Sequence, residues 1–283
     1  MTRSTDISPL SVLLARVDAI SDGTPTRDTI PCGFPSIDKV VGGGFRRGDL
    51  IVLGGDVSSG KSALALAFAI RAAQQPARVA FLSAESSVER VYERVIAIEA
   101  RTRIDDLRRG TLDDVARASA GAVALKLRDR LPVIDRMAPG GMKPLADQLD
   151  GLPDLDLVVL DSATALLPGR APLDEELSAT IRDLKTLALD RDVAILATAP
   201  LPQLADRPDR RPTLDDFGGL GTIKQLADVV LGLFRQDMYE PARDIEGATE
   251  LLIRKNRNGP TGYVDLYFYA QWMRFEDMLD PDR

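Results

Sequence analysis

Histidine is absent from this chain and cysteine occurs once, at Cys32. The first absence excludes a Ser-His-Asp triad and a histidine-containing zinc finger, and the single thiol excludes an intramolecular disulfide framework. No apolar run reaches the ~18 residues that a bilayer span requires, and Met1 to Asp6 lacks the charged-then-apolar layout of a signal peptide. A cytoplasmic protein with no membrane partner is therefore expected. Positive charge is in short supply too: 36 Lys and Arg stand against 43 Asp and Glu, a net charge of −7. That excludes a broadly basic nucleic-acid surface and confines any DNA contact to a local stripe or a backbone cradle. What remains, 45% hydrophobic and 28% charged over 283 residues, is the make-up of a globular protein with a full core. The division expected is a short arm over residues 1–30 and one α/β domain over residues 31–283.

The most specific signal present is Gly55-Asp56-Val57-Ser58-Ser59-Gly60-Lys61-Ser62, which reads G-x-x-x-x-G-K-S. Leu50 to Leu53 before it has the character of a buried strand, and Ala63 to Ile70 after it that of a buried helix. Strand, glycine-rich turn and helix together make a phosphate cradle, because backbone N–H groups and the positive end of a helix converge there. A nucleoside triphosphate is the expected ligand, held by Gly55, Ser58, Ser59, Gly60, Lys61, Ser62 and Ala63. Lys61 reaches the β- and γ-phosphates, and Ser62 is suited to ligate Mg²⁺. Leu157-Val158-Val159-Leu160-Asp161 ends an apolar run on a carboxylate; such an Asp can merely cap a strand, but beside a P-loop it is expected in the Mg²⁺ shell. Glu85 follows the strand residues Val79 to Leu82 in a similar way. It either polarises the water that attacks the γ-phosphate or serves as an acid at a helix N-terminus.

Strands are expected over residues 78–83, 131–135, 157–160, 193–198, 229–234, 250–255 and 263–269, with helices over 87–100 and 175–189. Early alternation and a late hairpin predict a mainly parallel sheet covered on both faces, with antiparallel strands at one edge. Between Ser8 and Ser21, Leu10, Leu13, Leu14, Val17 and Ile20 make one face of an amphipathic helix, with Ser8 as cap and Pro9 in the first turn. Such a helix packs on its own domain or on a neighbouring subunit. Residues 200–212, rich in Pro, Asp and Arg, are expected to form a mobile surface loop. Lys255 and Arg257 close the strand before the late turn, either as solvated charge or as fingers that reach a neighbour's γ-phosphate.

Taken in order, several stretches resemble the C-terminal ATPase domain of DnaB-type replicative helicases, a ring-forming RecA-like family. They are Cys32-Gly33-Phe34-Pro35-Ser36-Ile37-Asp38, the P-loop and its helix, Phe81 to Ser87, Asp161, Ile223 to Val230, and above all Lys255-Asn256-Arg257-Asn258-Gly259-Pro260-Thr261-Gly262. The resemblance implies a RecA-like P-loop fold with a C-terminal antiparallel hairpin and an N-terminal linker helix at 8–21 that docks on the adjacent subunit. It implies ATP and Mg²⁺ as cofactors, with Lys61 on the phosphates, Ser62 and Asp161 at the metal, and Glu85 activating water. Lys255 and Arg257 would act in trans, in a homohexamer with active sites at subunit interfaces around single-stranded DNA. Three departures stand out. The family's N-terminal domain is missing, so primase docking is not expected. Pro200 occupies the place of a γ-phosphate-sensing Gln, with Gln203 the nearest stand-in. The DNA loop reads Asp216-Phe217-Gly218-Gly219-Leu220-Gly221, leaving backbone N–H groups of Gly218, Gly219 and Gly221 to meet DNA phosphates. Two alternatives stay open: a RadA-like recombination ATPase, which Gly42-Gly43-Gly44-Phe45 resembles, and a nucleotide-gated assembly protein that has lost unwinding.

Overall fold

The computed structural model describes residues 9–22, 28–152, 154–201, 204, 207–240 and 245–278. Helix α1 (Pro9–Ser21) comes first; its expected cap, Ser8, lies outside the described residues. Strand β1 (Thr29–Ile30), helix α2 (Pro35–Val40) and strand β2 (Phe45–Arg46) form a small antiparallel ribbon around one helical turn. The main domain then runs β3 (Leu50–Gly55), α3 (Lys61–Ala73), β4 (Val79–Ser83), α4 (Val88–Ala100), α5 (Ile104–Arg109) and α6 (Asp114–Leu127). It continues with β5 (Val133–Arg136), α7 (Met142–Asp150), β6 (Leu157–Asp161), α8 (Leu173–Asp190) and β7 (Ala194–Pro200). Helix α9 (Thr222–Leu226), β8 (Val229–Arg235), β9 (Ala248–Asn256), β10 (Gly262–Tyr269) and β11 (Arg274–Asp277) complete it.

Among the described residues the strands β3 to β11 make one nine-stranded sheet in the order β11-β10-β9-β8-β3-β7-β6-β4-β5. The six strands from β8 to β5 are parallel, and β9, β10 and β11 add antiparallel at one edge. Strands β3, β4 and β6 are buried at every position, as parallel strands covered by helices on both faces must be. Helices α3 and α4 pack on one face and α7 and α8 on the other, each over its own apolar cluster. The expected fold class, a RecA-like mainly parallel sheet with a late hairpin, is the fold observed.

Helices α5, α6 and α7 have no counterpart among the expected elements: α5 and α6 each bury a single residue, and α7 is nine residues long with Leu145 and Leu149 its two buried residues. Helix α6 buries only Leu127, and its start is set instead by Asp113, whose carboxylate accepts from the Ala116 N–H at 2.7 Å. The second correction concerns the loop after β7. Among its described residues, Arg207 forks the carboxylate of Asp216 at 2.8 Å through both terminal nitrogens, and Arg211 forks that of Glu250 at 2.6 and 2.7 Å. Bidentate Arg–carboxylate pairs are the strong, oriented kind, so residues 207–212 are tied down rather than loose.

Phe68 of α3 anchors the P-loop helix between Phe34 and Phe45, meeting both rings edge-on at 5.5 and 5.6 Å, and all three are fully buried. Phe68→Ala is expected to cost about 3–5 kcal/mol of unfolding free energy through the cavity it leaves. Urea denaturation measures this as a lower midpoint with an unchanged slope. A loss below about 1 kcal/mol would be that of a surface site and would show that the aromatic cluster does not anchor α3.

Candidate functional site

The P-loop turns sharply between β3 and α3. Gly60 adopts φ 101°, and a Cβ there would lie 2.9 Å from the Phe275 ring, so glycine is required on both counts. Lys61 opens α3 and donates its ammonium to the Asp56 carbonyl at 2.7 Å. Burial lowers the Lys61 pKa against the pull of Asp161, Asp56 and Glu85. Within the same turn the Ser59 hydroxyl is buried with no partner among the described residues. An ammonium held by one carbonyl, an orphaned hydroxyl and the unpaired N–H groups of the first turn of α3 together fit a bound polyphosphate.

Asp161 ends β6, which is not adjacent to β3; β7 lies between them. Thr198 on β7 spans the gap. Its Oγ1 and the Ser62 Oγ each donate to Asp161 Oδ1 at 2.8 Å. Burial raises the Asp161 pKa, and those two hydroxyl bonds oppose the shift. A divalent cation would favour the ionised form of such a carboxylate. Among the described residues no group of three His, Cys, Asp or Glu side chains is placed to hold a metal ion, so an ion at Ser62 and Asp161 would need phosphate oxygens and water to complete its shell. Mg²⁺ is bound in that way.

Glu85 lies two residues beyond β4 and accepts from Ser162 Oγ at 3.3 Å. Its rival role as a helix-start acid is taken by others: Ser87 caps α4 by accepting from the Arg90 N–H, and Glu89 is the acid of the first turn. Lys61, Ser62, Glu85 and Asp161 line one cavity of about 580 Å³, flanked by Phe268 and Met273 from the β10–β11 side. Pro200 lines it too, in register with Gly55 at the seam between the P-loop and Asp161. Gln203 lies outside the described residues.

Arg94, absent from the residues expected on sequence grounds, also lines this cavity. Its Nε is buried without a partner among the described residues. Burial lowers its pKa, and Asp161 and Glu85 both pull the other way. The available signal was a cation three residues after Val91, hence on the buried side of an amphipathic helix.

Two groups of expected site residues lie elsewhere. Lys255 and Arg257 are at the opposite end of the sheet, where both donate to the Gln225 carbonyl, at 3.1 and 2.6 Å. Gly218, Gly219 and Gly221 all have positive φ; Gly218 and Gly219 pack against the start of α8, whereas a Cβ on Gly221 would meet open space. Of the three N–H groups expected to meet DNA phosphates, two are engaged within the chain. The Gly219 N–H donates to Asp174 Oδ1 at 2.9 Å, and the Gly221 N–H to the Gly218 carbonyl at 3.4 Å. The exposed feature of this loop is Leu220, whose φ is 53°.

The sequence model of the DnaB-like helicase C-terminal domain matches residues 29–277. The chain belongs to that family. The replicative DNA helicase DnaB of Leifsonia xyli subsp. xyli (strain CTCB07) is 29% identical over 276 residues, covering 95% of this chain and 60% of that protein. The replicative DNA helicase DnaB of Treponema pallidum (strain Nichols) is 32% identical over 252 residues, covering 87% of this chain and 55% of the relative. The chain thus spans less than two thirds of the length of these curated relatives. Among solved structures, an ATPase domain superposes with a TM-score of 0.86 over 96% of this chain and 99% of that one, at 24% identity. A structure of a DnaB-like replicative helicase and its interactions with primase gives a TM-score of 0.83 at 23% identity, over 95% of this chain and 66% of that one. At such identities the structural likeness bears on the fold alone. The RadA-like and non-motor alternatives gain no support from these matches.

Removing Arg94 tests the cavity without touching the P-loop. Arg94→Ala is expected to weaken binding of a non-hydrolysable ATP analogue about 10- to 100-fold, the loss of one or two charge-assisted hydrogen bonds. A fluorescence titration measures it, and wild-type affinity would reduce Arg94 to a wall of the cavity.

Proposed function

We propose that this chain is the ATP-hydrolysing part of a ring-forming DNA helicase or translocase of the DnaB type, acting on single-stranded DNA. Its family membership supports this, as do the names of its relatives. One geometric observation carries the mechanism: the two halves of the machinery stand at opposite ends of one sheet. Gly55 leads into the P-loop at one end of β3, while Asp228, which receives Arg257, pairs with Leu50 at the other end. Five residue steps of strand separate them, about 16 Å. No side chain crosses that distance, so Lys255 and Arg257 serve a nucleotide only if it belongs to another copy of the chain.

In this reading the amides of residues 55–63 and the Lys61 ammonium bind ATP. Ser62 and Asp161 hold Mg²⁺, which supplies charge neutralisation at the β- and γ-phosphates when bound. Glu85 takes the proton of the attacking water. Arg257 and Lys255 of the adjacent subunit complete the charge on the γ-phosphoryl group. Helix α1 supports the ring as well: Leu10, Leu13, Leu14 and Val17 are each 45–62% exposed, an apolar face that the described residues of its own subunit leave open. We assign residues 1–30 to an arm whose helix α1 docks on a neighbour while Thr29 and Ile30 pair with β2 of their own subunit, and residues 31–283 to the ATPase domain. The Gly218 N–H and the exposed Leu220 are the parts of the 218–221 loop offered to DNA, through backbone and apolar contact in place of charged side chains.

Glu85→Gln should bind ATP as the wild type does and hydrolyse it about 10²–10⁴-fold more slowly, as loss of a general base implies. Unchanged turnover removes Glu85 from the mechanism. Single-stranded DNA should raise the wild-type rate, and a rate indifferent to DNA argues against a motor.

The ring itself is tested by mixing. Arg257→Ala should abolish hydrolysis with little loss of ATP affinity, because a finger acts on charge in the transition state. Lys61→Ala should lose most triphosphate affinity. Combined in one assembly, the two inactive variants should regain turnover, since a mixed interface pairs an intact P-loop with an intact finger. A mixture that exchanges subunits and stays inactive argues against action in trans.

A further inference from the structure

Asp228 is a buried carboxylate between β3 and the hairpin that carries Arg257, and its contacts on each side are unusually complete. Its N–H donates to the Leu50 carbonyl at 2.8 Å, and its Oδ2 accepts from the Leu50 N–H at 2.8 Å. The same Oδ2 accepts from Lys185 Nζ at 2.6 Å, and Lys185 also donates to the Gly48 carbonyl at 2.8 Å. On the other side the Asp228 carbonyl accepts from the Arg257 N–H at 2.9 Å, and Oδ1 accepts from Arg257 Nη1 at 3.0 Å. The Asp228 side chain is 6% exposed, whereas that of Arg257 is 47% exposed. One carboxylate thus joins the first residue of β3, a lysine of α8 and the guanidinium at the end of β9.

Arg257 is fixed but not consumed. A guanidinium has five N–H donors in a planar fork. Among the described residues, one is given to Asp228 and one to the Gln225 carbonyl. The other three remain for a phosphate on a neighbour, so the guanidinium keeps its place while it binds. A long side chain held before its ligand arrives loses less rotamer freedom on contact. The pairing of β8 with β9 also shifts register between Val230 and Leu231, and a bulge of this kind re-aims the side chains that follow it.

We propose that Asp228 is a positioning residue for Arg257: it holds the guanidinium so that it meets the γ-phosphate on the adjacent subunit. This rests on the reading of Arg257 as a finger acting in trans. Asp228 touches no nucleotide and acts only through Arg257. Its tie to Leu50 fastens the finger to the base of the strand whose far end is the chain's own P-loop.

Asp228→Asn is the informative substitution. The amide oxygen still accepts from the Leu50 N–H and Lys185, while the group facing Arg257 no longer carries charge. Turnover by the assembled full chain should fall about 10- to 100-fold, the range found when a group that orients a functional side chain is removed. Affinity for a non-hydrolysable ATP analogue should hardly change. Mixing Asp228→Asn with Lys61→Ala subunits should then restore turnover, because the P-loop of the first meets the intact finger of the second. A structural role would behave differently. Damage passed along β3 to the chain's own P-loop is not repaired by a neighbour's finger, and ATP affinity falls as well. Wild-type turnover in Asp228→Asn, or a loss that mixing does not restore while Arg257→Ala is restored, overturns the proposal. If Arg257→Ala itself hydrolyses ATP normally, the finger reading has failed, and the Asp228 proposal falls with it. Should Asp228→Asn fail to fold because Lys185 is left half-paired, Asp228→Asn/Lys185→Met removes that charge and is put through the same comparisons.

Discussion

The burial of α3 is the constraint from which the rest follows. Ten of its thirteen residues are buried, so it is held by the sheet on one side and by the Phe34–Phe45–Phe68 cluster and β11 on the others. A helix apolar nearly all round has no solvent face along which to shift. Its free N-terminus therefore points at one place, and the unpaired N–H groups of its first turn make that place fit for a phosphate. Lys61 and Ser62 stand at that place because they are the first two residues of this helix.

The chemistry is then assembled by strand order rather than by sequence proximity. Thr198 reaches Asp161 because β7 is inserted between β3 and β6, and its hydroxyl and that of Ser62 meet on one oxygen of that carboxylate. The same insertion brings Pro200 against the cavity opposite Gly55. A proline there offers neither an N–H nor a polar side chain. Any coupling between nucleotide state and the loop that follows β7 must run through other groups. The P-loop does reach that region by another route. The Tyr239 hydroxyl donates to Asp56 Oδ2 at 2.6 Å, and the Arg210 guanidinium lies over the Tyr239 ring at 4.6 Å.

Two polarities run through the molecule. At the C-terminal ends of the parallel strands the carboxylates Asp161 and Glu85 surround Lys61. At the other end Asp228, Lys185 and Arg257 form a second charged group fastened to Leu50. Strand β3 is common to both, six buried residues long. In the proposed ring a neighbouring copy brings the second group to the first, so that each subunit would carry its own cradle and another subunit's cation.

Much of this was legible in the chain itself. The P-loop signature, flanked by an apolar strand and an apolar helix, determined the phosphate site, because turn, glycines and helix start are all local in sequence. The strand-then-acid pattern at Asp161 was equally local, and the pairing of β9 with β10 followed from alternation on either side of a turn. Partnership across the fold was not legible. Helix α6 buries a single leucine, so its periodicity carried no signal. Arg94 gains meaning only when α4 packs its face toward Asp161, and Thr198 only when β7 enters between two strands that the sequence places far apart. The Gly219 N–H reads as free in a glycine-rich string; whether it is depends on Asp174, 45 residues earlier on another helix. Local propensity and pattern are properties of neighbouring residues, whereas which buried charge meets which is decided by sheet order, and that is settled only when the whole core packs.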